Sequence, residues 1–206
     1  MTTRLIIARH GNTFTSDQTP TRVGCRTDLP LVPSGQEQAR RIGGYLKDNN
    51  YSPAKIYTSV LKRTIEMAEI IEDVMGHSIP QKQHPMFNEI DYGPDENIPE
   101  SAVIQRIGAE SIQRWNEEAI VPDGWIVDTR QIVTDWKNFG DSCVREHKGQ
   151  TTLAITSNGI ARFSPYLTGD FGSFGEDLKI STGALCVFIY DFAQERWDIK
   201  DWNIKP

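Results

Sequence analysis

Cysteine is scarce in this 206-residue chain. Cys25, Cys143 and Cys186 are odd in number, widely spaced and form no C-x-x-C pair. That excludes a disulfide framework and a zinc ribbon and points to a reducing compartment, so the expected location is cytoplasmic. An excess of positive charge is also missing. Lys and Arg total 22 against 28 Asp and Glu, a formal net charge of −6, which argues against nucleic acid or an anionic membrane as partner. An anionic substrate would therefore need a local cluster of arginines. No apolar run reaches membrane-spanning length, and the one at the N-terminus stops at Arg9-His10, too short for a signal peptide or a span. There are only four histidines and no cluster with metal-ligand spacing, so neither a metal nor another cofactor is implied. Internal repeats, low-complexity tracts and Ser/Gly linkers are absent as well. The length suits a single domain over 1–206 with a substantial core.

What is present is an alternation of strand and helix patterns. An apolar run over 3–8 reads as a strand. Ser34-Gly35-Gln36-Glu37 has capping-box spacing, and Ala39, Ile42 and Leu46 follow at helical intervals, giving a helix from about 35 to 48. Ala54–Thr58 is a short strand. Ser59 is placed to cap a helix whose stripe is Leu61, Ile65, Ala68, Ile71 and Met75, ended by Gly76. Four prolines punctuate 77–99 as loop. Helices are expected near 100–118 and 126–147, a strand at Thr151–Thr156, a short helix over 159–167, and strands over 183–190 and near 196–203. The pattern predicts an α/β protein, a three-layer α/β/α sandwich on a mainly parallel sheet. Residues of about 97–147 are expected to form a helical, cap-like insertion. Its tryptophans, Trp115, Trp125 and Trp136, are expected to pack the core of two helices.

Four clusters carry chemistry. Leu5-Ile6-Ile7-Ala8-Arg9-His10-Gly11 ends a buried strand in a histidine beside an arginine, where Gly11 permits a sharp turn. The carboxyl ends of strands are where α/β proteins hold ligands. Arg63 falls in the first turn of a helix, where backbone N–H groups and the dipole favour anions; it reads equally well as an arginine on a solvated helix face. Glu89, within Phe87-Asn88-Glu89-Ile90-Asp91-Tyr92-Gly93, is an acid whose pKa partial burial would raise, or else a surface carboxylate. Thr156-Ser157-Asn158-Gly159 ends a second strand, and Ser157 or Asn158 is placed to cap the helix after it. His77, His84 and His147 fall in loops or near a helix end and read as surface residues.

Together these clusters resemble the histidine phosphatase superfamily, also called phosphoglycerate mutase-like, and its small phosphatase branch. The resemblance rests on Arg9-His10-Gly11-x-Thr13, Arg22-x-Gly24-x-x-x-Asp28-x-Pro30-Leu31-x-x-x-Gly35, Ser59-x-Leu61-x-Arg63-x-x-x-x-Ala68 and Glu89-Ile90-Asp91-Tyr92-Gly93. It implies the phosphoglycerate mutase-like fold and a metal-independent phosphomonoester hydrolase acting on a small phosphorylated molecule. His10 would be the nucleophile that becomes phosphorylated, Arg9 and Arg63 the clamp on the phosphoryl oxygens, and Glu89 the proton donor. Asn158, Gly159 and Ser16 would complete the phosphate site. The family pattern places a second histidine where this chain has Asn158. Asparagine donates hydrogen bonds but carries no charge, and losing one such group costs on the order of 10²–10³ in rate. Weakened or differently tuned catalysis is therefore expected. A catalytically inactive phospho-ligand binder and a phosphoglycerate mutase are the alternatives.

Overall fold

A computed structural model describes residues 2–169 and 178–206. Its centre is a six-stranded sheet of β1 (Thr3–Arg9), β2 (Pro53–Thr58), β3 (Gln81–Gln83), β4 (Thr151–Thr156), β5 (Leu185–Asp191) and β6 (Arg196–Ile204), in the order β3-β2-β4-β1-β5-β6. β3, β2, β4 and β1 pair in parallel. β5 runs antiparallel to β1 and to β6. The central strands β1 and β4 are buried on both faces, as their unbroken apolar and threonine runs require.

The helices are α1 (Pro33–Asp48), α2 (Lys62–Met75), α3 (Glu100–Ile107), α4 (Ala109–Glu118), α5 (Thr129–Glu146) and the single turn α6 (Asn158–Ala161). Side chains of alternate parity on β1 feed two cores. Ile6 and Ala8 pack with Ala39, Ile42 and Leu46 of α1 and Met67, Ala68 and Ile71 of α2. Leu5 and Ile7 face Trp115 of α4, Trp136 and Phe139 of α5, and Phe163. That is the expected α/β/α layering.

Local details differ from the sequence expectations. α1 starts earlier, at Pro33, with Val32 at its N-cap and no side-chain cap bond. Ser34 instead accepts from Asn12 Nδ2 at 3.3 Å, so the capping box is not formed. Ser59 lies two residues before the α2 N-cap, Leu61. Its Oγ nevertheless accepts from Leu61 N at 3.1 Å and pairs with Thr64 Oγ1 at 2.7 Å, holding the start of the helix. The helix expected over 100–118 breaks at Gly108, φ +84°, into α3 and α4. α5 begins at Thr129, with Asp128 accepting from Gln131 N. The segment after β4 is a short helix followed by a 3₁₀ turn, Ser164–Thr168, and neither Ser157 nor Asn158 caps it through its side chain. Trp115, Trp125 and Trp136 are all buried in the core.

Candidate active site

The parallel strands β1, β2 and β4 end at one edge of the sheet, and a cavity of about 760 Å³ opens there. β1 delivers Arg9 and His10, α6 delivers Asn158, and the loop before β5 adds Lys179 and Thr182. The wall opposite comes from Asn12–Ser16, Pro20–Val23, Glu89 and Tyr92, with Glu100 of α3 and Ile112 and Asn116 of α4.

His10 is buried, and its Nδ1 lies 2.8 Å from the Gly11 carbonyl. A carbonyl accepts only, so Nδ1 carries the proton and Nε2 is left with its lone pair. Arg63 Nε donates to that Nε2 at 3.2 Å. Burial, with Arg63 and then Arg9 nearby, holds the imidazole well below its usual 6.5, so it is neutral near pH 7. Gly11 serves a different purpose from the expected turn: its φ is not positive. Its hydrogen faces the backbone of Gly35, and a Cβ there would lie 2.4 Å from Gly35 O. The start of α1 thereby seats directly on the turn that holds His10. Gln38 reinforces this by accepting from Asn12 N at 2.8 Å and donating to Thr182 O.

Arg63 does not solvate a helix face. It is fully buried, donating from Nη1 to Thr27 O (2.9 Å) and from Nη2 to Gly24 O (3.3 Å) and Ser157 Oγ (3.5 Å). It backs His10 rather than forming part of the cavity wall. Arg9 does reach the wall. Its Nη1 donates to Ile180 O at 2.6 Å, while its buried Nε has no partner. Burial lowers the pKa of both guanidiniums, and both stay charged at neutral pH.

Glu89 is buried and is not a surface acid. Its carboxylate accepts from Ile90 N (2.9 Å), Gly159 N (3.3 Å) and Tyr92 Oη (3.4 Å). Burial raises its pKa above 4.5, against the pull of those N–H groups, Arg63 and Arg9. Gly159, expected on the phosphate, therefore serves the acid instead. Only a hydrogen fits there, because a Cβ would meet Glu89 Oε1 at 2.2 Å. Ser16 lies exposed at the mouth of the cavity. Asn158 Oδ1 accepts from Ile180 N at 2.9 Å, which leaves its amide Nδ2 for the cavity it lines. Asn158 and Arg9 thus hold the same residue, Ile180, through its N–H and its C=O.

Several residues received no role in the sequence reading, Arg22 among them although it opens a family motif. Glu96 gathers donors from Gly24 N, Arg26 N, Thr27 Oγ1 and Tyr92 N, tying the 24–27 loop to the segment that bears Glu89. Arg22 pairs with Glu100 at 2.6 Å and stacks on Tyr92 and Trp125. Arg162 is buried, lines the cavity and stacks on Trp115 at 4.1 Å. The signal for Arg162 was its spacing: four residues after Asn158, it sits on the same side of that turn. His77 is exposed, and His84 and His147 are half-buried against Phe87 and Tyr57, all away from the cavity. Among the described residues, no three His, Cys, Asp or Glu side chains gather as a metal-ligand set, and no helix is long and apolar enough to cross a membrane.

Comparison with known proteins follows this geometry. The family model described as "Histidine phosphatase superfamily (branch 1)" matches residues 5–205. The chain is 31% identical over 202 residues to the uncharacterized phosphatase PhoE of Bacillus subtilis, covering 98% of this chain and 95% of that protein. It is 33% identical over 112 residues to the 2,3-bisphosphoglycerate-dependent phosphoglycerate mutase of Nitrosococcus oceani, covering 54% of this chain but only 46% of the mutase. Among solved structures, the phosphoglycerate mutase of Bacillus anthracis superposes with a TM-score of 0.79 at 18% identity, covering 98% of this chain and 93% of that one.

Proposed function

Because the chain belongs to the histidine phosphatase superfamily, we propose that it hydrolyses a small phosphomonoester, without a metal, through a phosphohistidine on His10. The observation that carries this reading is the state of the imidazole, which is neutral and fixed through Nδ1–H on Gly11 O, with Nε2 basic. The Nε2 lone pair attacks phosphorus and the bond to the ester oxygen breaks. Glu89, whose pKa burial raises, gives a proton to that leaving oxygen. Glu89, now ionised, then takes a proton from a water that attacks the phosphohistidine, releasing inorganic phosphate and restoring both groups.

Arg9, which lines the cavity and whose buried Nε has no partner among the described residues, would hold a phosphoryl oxygen, and the amide of Asn158 and the hydroxyl of Ser16 would add neutral donors. Arg63 plays a different part. Its Nε–H sits on the attacking nitrogen and passes to a phosphoryl oxygen as the N–P bond forms. Each such donor is worth on the order of 10²–10³ in rate. Glu100, Ile112 and Asn116 on the cavity wall support reading the 97–147 stretch as a cap over the leaving group. Free cysteines at 25, 143 and 186 support a cytoplasmic location.

Acid-quenched labelling with a ³²P-phosphomonoester tests the reading. Wild type is expected to trap label and release phosphate, and His10→Ala to do neither. Absence of both label and turnover at high protein concentration would leave only a phospho-ligand binder. Efficient transfer between phosphoglycerates would leave a mutase.

A further inference from the structure

Arg162 is an expensive residue to bury. The residue is 1% exposed, yet no carboxylate among the described residues lies within 4.0 Å of its guanidinium. Its partners are neutral: Nη1 donates to Trp115 O, Nε donates to Asn158 O at 3.3 Å, and the ring of Trp115 lies against one face. Nη2 donates to no acceptor among the described residues, and the side chain lines the cavity. Burial lowers its pKa to about 10, so it remains a cation at neutral pH. An unpaired buried charge is tolerated when a ligand neutralises it.

The charges at the inner end of the cavity show how much neutralisation is needed. Arg9, Arg63 and Arg162 contribute +3, and among the described residues none has a carboxylate in ion-pair contact. His10 is neutral, and Glu89 must be protonated to act as the acid. Arg22 is cancelled by Glu100 at 2.6 Å. A phosphomonoester dianion supplies −2 against these three guanidiniums and leaves one of them over, Lys179 on the same wall not being counted. Arg162, Tyr92 and Glu89 line the same cavity, so its guanidinium shares a chamber with the group read as protonating the leaving oxygen.

From this geometry we propose that Arg162 forms a second anion subsite, which takes a carboxylate or second phosphate carried by the leaving group. The substrate class is then a phosphomonoester of an anionic alcohol. The argument rests on the hydrolase reading above for the protonation state of Glu89. The test compares 3-hydroxypropyl phosphate, 2-carboxyethyl phosphate and propane-1,3-diyl bisphosphate, which share a three-carbon leaving group. In wild type, kcat/KM for at least one of the two anionic esters should exceed that of the neutral ester by about tenfold or more, and the better of the two identifies the second anion. Arg162→Met should bring the ratio to near unity, and Arg162→Lys should keep part of it. A purely structural role would slow all three esters alike and leave the ratio unchanged. If Arg162→Met fails to fold, the ratio in Arg162→Lys decides. Parity of the three esters in wild type, or an undiminished preference in the variants, overturns the subsite. Calorimetric binding of the same esters to His10→Ala separates the two readings. A binding preference there, with no turnover by wild type, would defeat the hydrolase and leave the subsite standing.

Discussion

Replacing Gly11 by alanine tests whether the seating of α1 on β1 sets the position of the nucleophile. A Cβ on Gly11 would lie 2.4 Å from Gly35 O, 2.7 Å from Gly35 Cα and 2.9 Å from Gly35 C. Ordinary contact begins near 3.4 Å, so the two backbones must part by about 1.0 Å (3.4 − 2.4). No rotamer change relieves this, because all three atoms belong to the backbone. Gly35 cannot simply slide away, since its own hydrogen already faces Asn12 O, where a Cβ would lie at 2.2 Å. The Gly11 carbonyl is the acceptor that fixes the His10 tautomer, so the displacement is transmitted to Nε2. A misplacement of about 1 Å costs on the order of 10²-fold in rate, and overpacking of this kind costs about 1–3 kcal/mol, or roughly 2–12 °C in Tm for a chain of this size. Gly44, within the same helix, is the control: nothing lies within 4 Å of its Cβ position. Gly44→Ala should leave phosphate release unchanged and stabilise the chain by about 0.5–1 kcal/mol. The measurements are single-turnover labelling of His10 and thermal unfolding. Wild-type labelling and Tm in Gly11→Ala would refute the reasoning.

The pKa shifts at the site predict an unusual pH profile. His10 titrates well below 6.5, so kcat at saturating substrate, where the free ester's second ionisation at about 6 no longer enters, should show no acidic limb near 6.5, and it should fall on the alkaline side as Glu89 ionises above 4.5. Glu89→Gln should remove that alkaline limb along with most of the rate, whereas a limb centred at 6.5 would contradict a buried neutral His10. For stability the signs differ. His10, with its folded pKa depressed, contributes stability that is present above 6.5 and lost as pH falls toward the folded pKa. Glu89, with its folded pKa raised, contributes stability that is present below 4.5 and lost as pH rises through the folded pKa. Asp95 accepts two bonds from Arg106 and one from Trp125 Nε1 while buried. Asp95→Asn should cost about 1–3 kcal/mol in urea unfolding, and no change would mean that the pair is replaceable. Asn158→His should fail to raise turnover, because the amide oxygen holds Ile180 N and, through Ile180 O, Arg9; a rise beyond about threefold would show that a missing charge limits the site.

The sequence made some of these roles visible and hid others for identifiable physical reasons. Arg9, His10 and Asn158 lie at strand ends, where the switch from apolar run to polar residue is itself the signal. Glu89 was visible only as an acid between apolar neighbours. Its burial comes from Tyr92, three residues on, and from α6, 70 residues away, an approach that no local pattern encodes. Arg63 sat on a helix start that looked exposed, and it is covered by the 24–27 loop. That loop is in turn held by Glu96, a carboxylate with nothing local to mark it. The helix start at Pro33 was masked by a better-looking capping box one residue later. Gly11 was read as a turn and Gly159 as a phosphate contact, whereas both are required for close approach.

Gly159 shows how tightly the two halves of the site are joined. Its N–H is on Glu89 and its missing side chain makes room for the same carboxylate, while Asn158, one residue before, holds the strand-like segment that receives Arg9. Three residues beyond Gly159, Arg162 returns to the same carbonyl turn and faces the same cavity. One short turn after β4 therefore orders Glu89, the proposed acid, Arg9 of the proposed phosphate clamp, and Arg162 together. A change that tilts this turn should alter proton donation, phosphate binding and leaving-group preference at once. Changes on the β1 side, at Gly11 or Arg63, should act on attack alone. In kinetic terms, variants of the α6 turn should move kcat, KM and the ester ratio together, and variants beneath His10 should slow phosphoenzyme formation with the ester ratio intact.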